Sequence, residues 1–115
     1  MNMEESVRLE HKFALLPRQE RETIIRQGVQ IHLTVLRKRL FLAESKVRYF
    51  EEKYGDTLHV WDTQGLPEDA DYEVHEDYVL WHHWLDTSQK VQEEIASLSG
   101  IIEPEQAVEP VYGGC

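Results

Sequence analysis

Between Pro17 and Lys53 the chain contains no second proline, and its only glycine is Gly28. Proline ends or kinks a helix and glycine weakens one, so a stretch this long with so little of either is free to stay helical. Apolar or semi-polar residues recur through it at Ile25, Val29, His32, Leu36, Leu40, Ala43, Val47, Phe50 and Tyr54, always three or four apart. That period predicts one amphipathic helix over about 17–53, with Gly55 placed to terminate it. His32 in this stripe reads as a buried polar contact that fixes helix register. Ile24, Ile31, Val35 and Leu42 make a second, partial stripe, so more than one neighbour is expected to pack on this helix. At 1.5 Å per residue such a helix spans about 55 Å, whereas a compact domain of this size has a radius of gyration of about 13 Å. The fold is therefore expected to be elongated.

The rest of the chain supplies the partner. A second helical period runs over about 72–99: Val74, Trp81, Ser88 and Ile95 recur at sevens, as do Asp77, Trp84, Val91 and Leu98, and Tyr78 and Leu85 widen the face. Gly100 is read as its end. Between the long helices, Asp56 or Thr57 is placed to cap a short helix through Trp61 that Gly65 can stop, and an acidic run follows Leu66-Pro67. Residues 1–16 read as a short helix on Leu9, Phe13 and Leu16, and residues 100–115 as an extended tail. The expectation is an all-α fold, an elongated antiparallel hairpin of two long helices with a short connector helix and coiled-coil-like packing, in one domain over 1–99. In the expected register Phe50 and Tyr54 lie near Val74 and Tyr78, Ala43 and Val47 near Trp81, Leu36 and Leu40 near Trp84 and Ser88, and Val29 near Ile95. Small Ala43 and Ser88 make room for the tryptophans. Two helices leave the second stripe bare, which points to a homodimer or a hetero-oligomer.

Charge is distributed unevenly. The 115 residues carry 22 acidic and 12 basic side chains, a net charge of -10. Residues 1–53 hold 11 of the basic and 8 of the acidic groups, and the remainder holds 14 acidic groups against Lys90 alone. An acidic body is repelled by phosphate backbones and anionic lipid, so nucleic-acid and membrane partners are disfavoured. No apolar run has the length of a membrane span, and MNMEESVRLEHK lacks a signal peptide's basic start and apolar core, so a cytoplasmic setting is expected. The single cysteine, Cys115, excludes an internal disulfide and a cysteine-based zinc site. The one compact basic cluster, Arg37-Lys38-Arg39, is expected to pair with Asp86 and Glu93 across the hairpin.

No nucleophile constellation or glycine-rich phosphate loop is present, and no enzymatic activity or cofactor is expected. The densest set of candidate metal ligands is His75, His82 and His83, with Glu76 and Asp86 near the same turns. Their seven- and eight-residue spacings put His75 about 10 Å from the other two, whereas compact helical sites use intervals of three or four. No metal site is assigned. Glu73, Glu76 and Asp77 complement the positive end of the second helix's dipole. The tryptophans, three apart on one helix at Trp81 and Trp84, read as core or interface anchors.

The run Arg48-Tyr49-Phe50-Glu51-Glu52-Lys53-Tyr54-Gly55, then Gly65-Leu66-Pro67-Glu68-Asp69-Ala70-Asp71-Tyr72, then His75-Glu76-Asp77-Tyr78 with Trp81, resembles small all-helical antitoxin-like proteins of prokaryotic toxin–antitoxin pairs. The resemblance covers about residues 33–98. It implies a protein-binding module that neutralises a basic partner protein, commonly a nuclease toxin. The face expected to meet that partner comprises Trp61, Asp69, Asp71, Glu73, Glu76, Asp77, Tyr78, Trp81 and Trp84. Two other readings stand beside it: a self-associating helical scaffold, and a metal-binding protein built on the histidines and carboxylates.

Overall fold

The computed structural model describes residues 2–102, which form four helices and no strand: α1 (Met3–Ala14), α2 (Arg18–Tyr54), α3 (Leu58–Gln64) and α4 (Tyr72–Ile102). α2 and α4 run antiparallel and pack against each other, with α3 folded back on α4 at the turn. The molecule is elongated, with a radius of gyration of 21.3 Å and extents of 65 × 49 × 20 Å.

Local sequence sets the boundaries. Asn2 opens α1 by accepting the Glu5 N–H on its side-chain oxygen at 2.8 Å. Pro17 breaks α1 from α2, and Arg21 Nη1 ties the joint by donating to the Ala14 and Leu16 carbonyls at 2.9 and 2.6 Å. α1 buries no residue, so its apolar positions do little for the core. Gly55 stops α2 in the left-handed conformation, φ 72°, where its N–H reaches the Glu51 carbonyl at 2.8 Å. A β-carbon at that φ is strained, which is why glycine ends the helix there. Gly65 stops α3 with a positive φ of 81° as well, but with ψ 169°, outside the left-handed helical region, its N–H reaching the Trp61 carbonyl at 2.8 Å. Asp71 starts α4, its Oδ1 accepting the Val74 N–H at 3.0 Å.

Several expectations are corrected. α4 continues through Gly100 to Ile102. Gly100 is not in a positive-φ conformation, and half-buried Ile102 extends the Ile95 heptad position by one more repeat. The extended tail expected from residue 100 therefore starts no earlier than 103, and residues 103–115 lie outside the described residues. His32 is exposed, and Leu33 is buried in its place. With Leu33 the α2 seam becomes Val29, Leu33, Leu36, Leu40, Ala43, Val47, Phe50 and Tyr54, a strict alternation of fours and threes. That 3.5-residue average keeps a seam facing its partner, while His32, about 100° round from Leu33, turns away. Trp81 stacks on Phe50 and Tyr54, nearer the C-terminus of α2 than Ala43, while Val47 packs against the same cluster as expected. Ala43 and Ser88 are buried, and the Ser88 hydroxyl satisfies itself on the Leu85 carbonyl at 2.7 Å.

Candidate functional site

The turn of the hairpin is built around Trp81, which is 0% exposed. Its ring lies 5.9 Å from Phe50, 5.9 Å from Tyr54 and 5.6 Å from Trp61. Leu58 completes the buried cluster, and Val47, Leu66, Val74 and Trp84 pack around it. Aromatic rings at these separations add attraction beyond their buried area, so three helices are joined through one side chain. The Trp81 Nε1 donor is buried with no acceptor among the described residues.

Two polar clamps flank the cluster. On one side Lys53 Nζ meets Asp77 Oδ2 at 2.7 Å and Glu73 Oε2 at 2.8 Å, and the Tyr54 hydroxyl donates to the same Asp77 oxygen at 2.5 Å. The hydrogen bond to Asp77, then that to Glu73, raises the Lys53 ammonium above its ordinary value. Burial first, and then the bond to Asp77, pushes the Tyr54 phenol up to about 12. At Asp77 burial is the largest single influence and favours the neutral acid. The hydrogen bonds from Lys53 and Tyr54 outweigh it and hold the carboxyl below the usual range. On the other side, Asp62 Oδ1 of α3 accepts from the Tyr78 hydroxyl at 2.6 Å and lies 2.7 Å from His82 Nε2. The Tyr78 bond, more than the His82 contact, lowers the Asp62 carboxyl, and the same bond raises Tyr78.

The expected partner-binding residues divide by this geometry. Trp61 and Trp81 are interior, and Trp84 packs against them half-buried. Glu73, Asp77 and Tyr78 are held in the clamps, and Asp71 caps α4. Asp69 and Glu76 are exposed, with neither in an ion pair among the described residues. Of the two readings of the tryptophans, core or interface anchor, Trp61 and Trp81 take the first, which corrects their place in the partner-binding face; the return of α3 onto α4 that encloses them leaves no mark in the period of either helix.

The surface apolar groups here are others. Tyr72 is 78% exposed, Val79 66% and Leu80 46%. His75, Glu76, Val79 and Leu80 line a shallow depression of about 390 Å³. Asp69, Asp71 and Glu76 bring acid to the same end of α4. The signal for this patch was present in the sequence: Tyr72 and Val79 are seven apart and on the helix side opposite Val74 and Trp81.

The remaining candidates are placed as follows. His75 and His83 are exposed and His82 is engaged by Asp62, and among the described residues no three His, Asp, Glu or Cys side chains converge as a metal site. Arg37, Lys38 and Arg39 are exposed, and no ion pair to Asp86 or Glu93 forms. Successive helix residues diverge by about 100°, so this triplet fans out instead of facing α4 as a block. No helix among the described residues is long and apolar enough to cross a membrane. Comparison of the chain with protein-family profiles, with curated proteins and with solved structures finds no match.

Proposed function

We propose that this protein is a non-enzymatic, antitoxin-like binding module that neutralises a basic partner protein in the cytoplasm, through the first two turns of α4 and the acidic segment before it. The observation that carries this reading is the exposed Tyr72–Val79–Leu80 patch rimmed by Asp69, Asp71 and Glu76. Apolar anchors within a charged rim are the usual anatomy of a protein interface, and the acid speeds encounter with a basic surface. The aromatic cluster and its clamps hold the patch on a rigid helix, so little ordering cost falls on binding. The resemblance to antitoxin-like proteins agrees with this reading and supplies the class of partner.

The experiment is co-expression with the product of the adjacent gene, followed by titration calorimetry of the purified pair. Tyr72→Ala with Val79→Ala is expected to weaken binding by about 10- to 100-fold, the range of a truncated interface anchor. Asp69→Asn with Glu76→Gln should slow association and flatten its salt dependence. A neighbour that is harmless alone and does not bind, or a complex indifferent to all four changes, removes the reading.

A further inference from the structure

The molecule is only 20 Å across its thinnest axis, and one broad side of the α2–α4 pair carries chemistry that the clamps and the α4 patch do not use. On α2, Ile24, Ile31, Val35, Leu42 and Tyr49 are exposed along one line, with Gly28, Lys38 and Ser45 filling its remaining three- and four-residue steps. On α4, His83, Asp86, Lys90, Glu94 and Ile101 are exposed along another line. At about 100° per residue, each line stands roughly 130° to 140° from its own buried seam. Because the helices are antiparallel, both lines turn to the same side of the hairpin. A depression on this side of the hairpin is lined by His32 of α2 and by Lys90, Glu93, Glu94, Ser97 and Leu98 of α4, so the α4 line forms one of its banks. α3 packs on the opposite side, where Asp62 meets Tyr78 and His82.

Apart from Lys90 on α4, the two lines carry opposite charge. Lys38, Arg39 and Lys46 flank the α2 line, and Asp86, Glu93 and Glu94 lie along α4. Among the described residues none of the six is in an ion pair. We infer that a second copy of this chain covers this side, related by a two-fold axis parallel to the long helices, so that α2 of each copy lies on the outer face of α4 of the other.

Rotation about such an axis leaves height along the bundle unchanged. The basic middle of α2 therefore meets the acidic middle of the facing α4, and every helix is antiparallel to both neighbours, as in an antiparallel four-helix bundle. A two-fold axis across the helices sets α2 on α2 and brings the Arg39–Lys46 flank against itself, a like-charge contact. The α2 line is about 37 Å long, and two helix diameters are about 20 Å, which gives roughly 750 Å² per copy, near the standard size for a specific interface. The register fixed by Lys53 and Asp77 places Tyr72 beyond Tyr49, the last apolar residue of the α2 line. The acidic α4 patch thus stays outside the pairing, and the pairing does not depend on the binding function proposed above.

Sedimentation equilibrium of the purified full chain alone tests this. The expected mass over micromolar concentrations is twice 13.6 kDa. Ile31→Glu with Leu42→Glu should sediment at 13.6 kDa, with helical circular dichroism showing that the hairpin still forms. Should that variant lose its helices, Lys38→Glu with Arg39→Glu serves instead, with an expected rise in the dimer dissociation constant of at least about tenfold. Carbodiimide treatment of mixed isotope-labelled copies should join Lys38 or Lys46 of one to Asp86, Glu93 or Glu94 of the other. A monomeric wild type, a dimer indifferent to the helix-retaining variant, or inter-copy links from these lysines to Glu20 or Glu52 of α2 overturns the inference.

Discussion

The two ends of the hairpin hold together by different means. At the turn, Trp81 is enclosed by Phe50, Tyr54 and Trp61, and two carboxylates accept hydrogen bonds from neighbouring helices. At the open end the buried seam is a single file of Val29, Leu33 and Leu36 against Val91, and Ile24, Ile31 and Val35 stand uncovered a third of a turn away. The contrast shows how burial depends on the number of walls. Two helices enclose a line of side chains, while a third helix, even one of seven residues, encloses a cluster. Stability is thus concentrated at the turn, while the open end leaves much of its apolar surface uncovered.

The largest test of that contrast is Trp81→Ala. It removes the side chain all three helices share and should cost about 3 to 5 kcal/mol, read from urea unfolding monitored by circular dichroism. A loss no larger than that of Leu33→Ala at the open end would mean that the turn is no stronger than the open end. The open end is probed by a pair of neighbours. Leu33→Ala should cost about 2 to 5 kcal/mol, whereas His32→Ala should stay within about 0.5 kcal/mol, because only Leu33 is enclosed.

A smaller effect comes from pH and acts on the turn alone. Lys53 and Tyr54 have folded-state values raised above 10.5 and 10.0, so their contribution is complete below about pH 10; that of Tyr54 is lost as pH rises through about 12, and that of Lys53 only at still higher pH. Asp77 is lowered from 3.8, so its contribution is present above that value and is lost as pH falls through the lower folded one. Melting temperature should therefore fall at both extremes, and Lys53→Met with Tyr54→Phe should flatten the alkaline limb. Amide exchange should show that limb in α3 and the first turns of α4 before it appears near Leu33.

Much of this architecture was legible in the sequence because it rests on local rules. Pro17, Gly55 and Gly65 mark their boundaries through backbone conformation, and the seven-residue recurrence of Val74, Trp81 and Ser88 identifies the α4 seam. Gly100 misled because glycine by itself does not stop a helix: Gly55 and Gly65 do so at positive φ, which Gly100 does not adopt, and the apolar period carries on past it to Ile102. His32 was read into the seam because a step of three and a step of four are equally helical, and only the strict alternation through Leu33 separates them. The candidate site was harder to read. Whether Trp61 faces solvent or core depends on where α3 folds back, and whether Arg37 meets Asp86 depends on side-chain direction around the axis. Neither is encoded in spacing along one helix.

The attachment of α3 through Asp62 to Tyr78 and His82 has one more consequence. It gives the hairpin a back as well as a front. A plain two-helix ribbon offers the same bare breadth above and below, and pieces of that kind stack without limit. Here one breadth already carries the chain's own third helix. Whatever settles on the other meets no equivalent surface behind it, so growth ends after a single layer and the product has a defined number of parts.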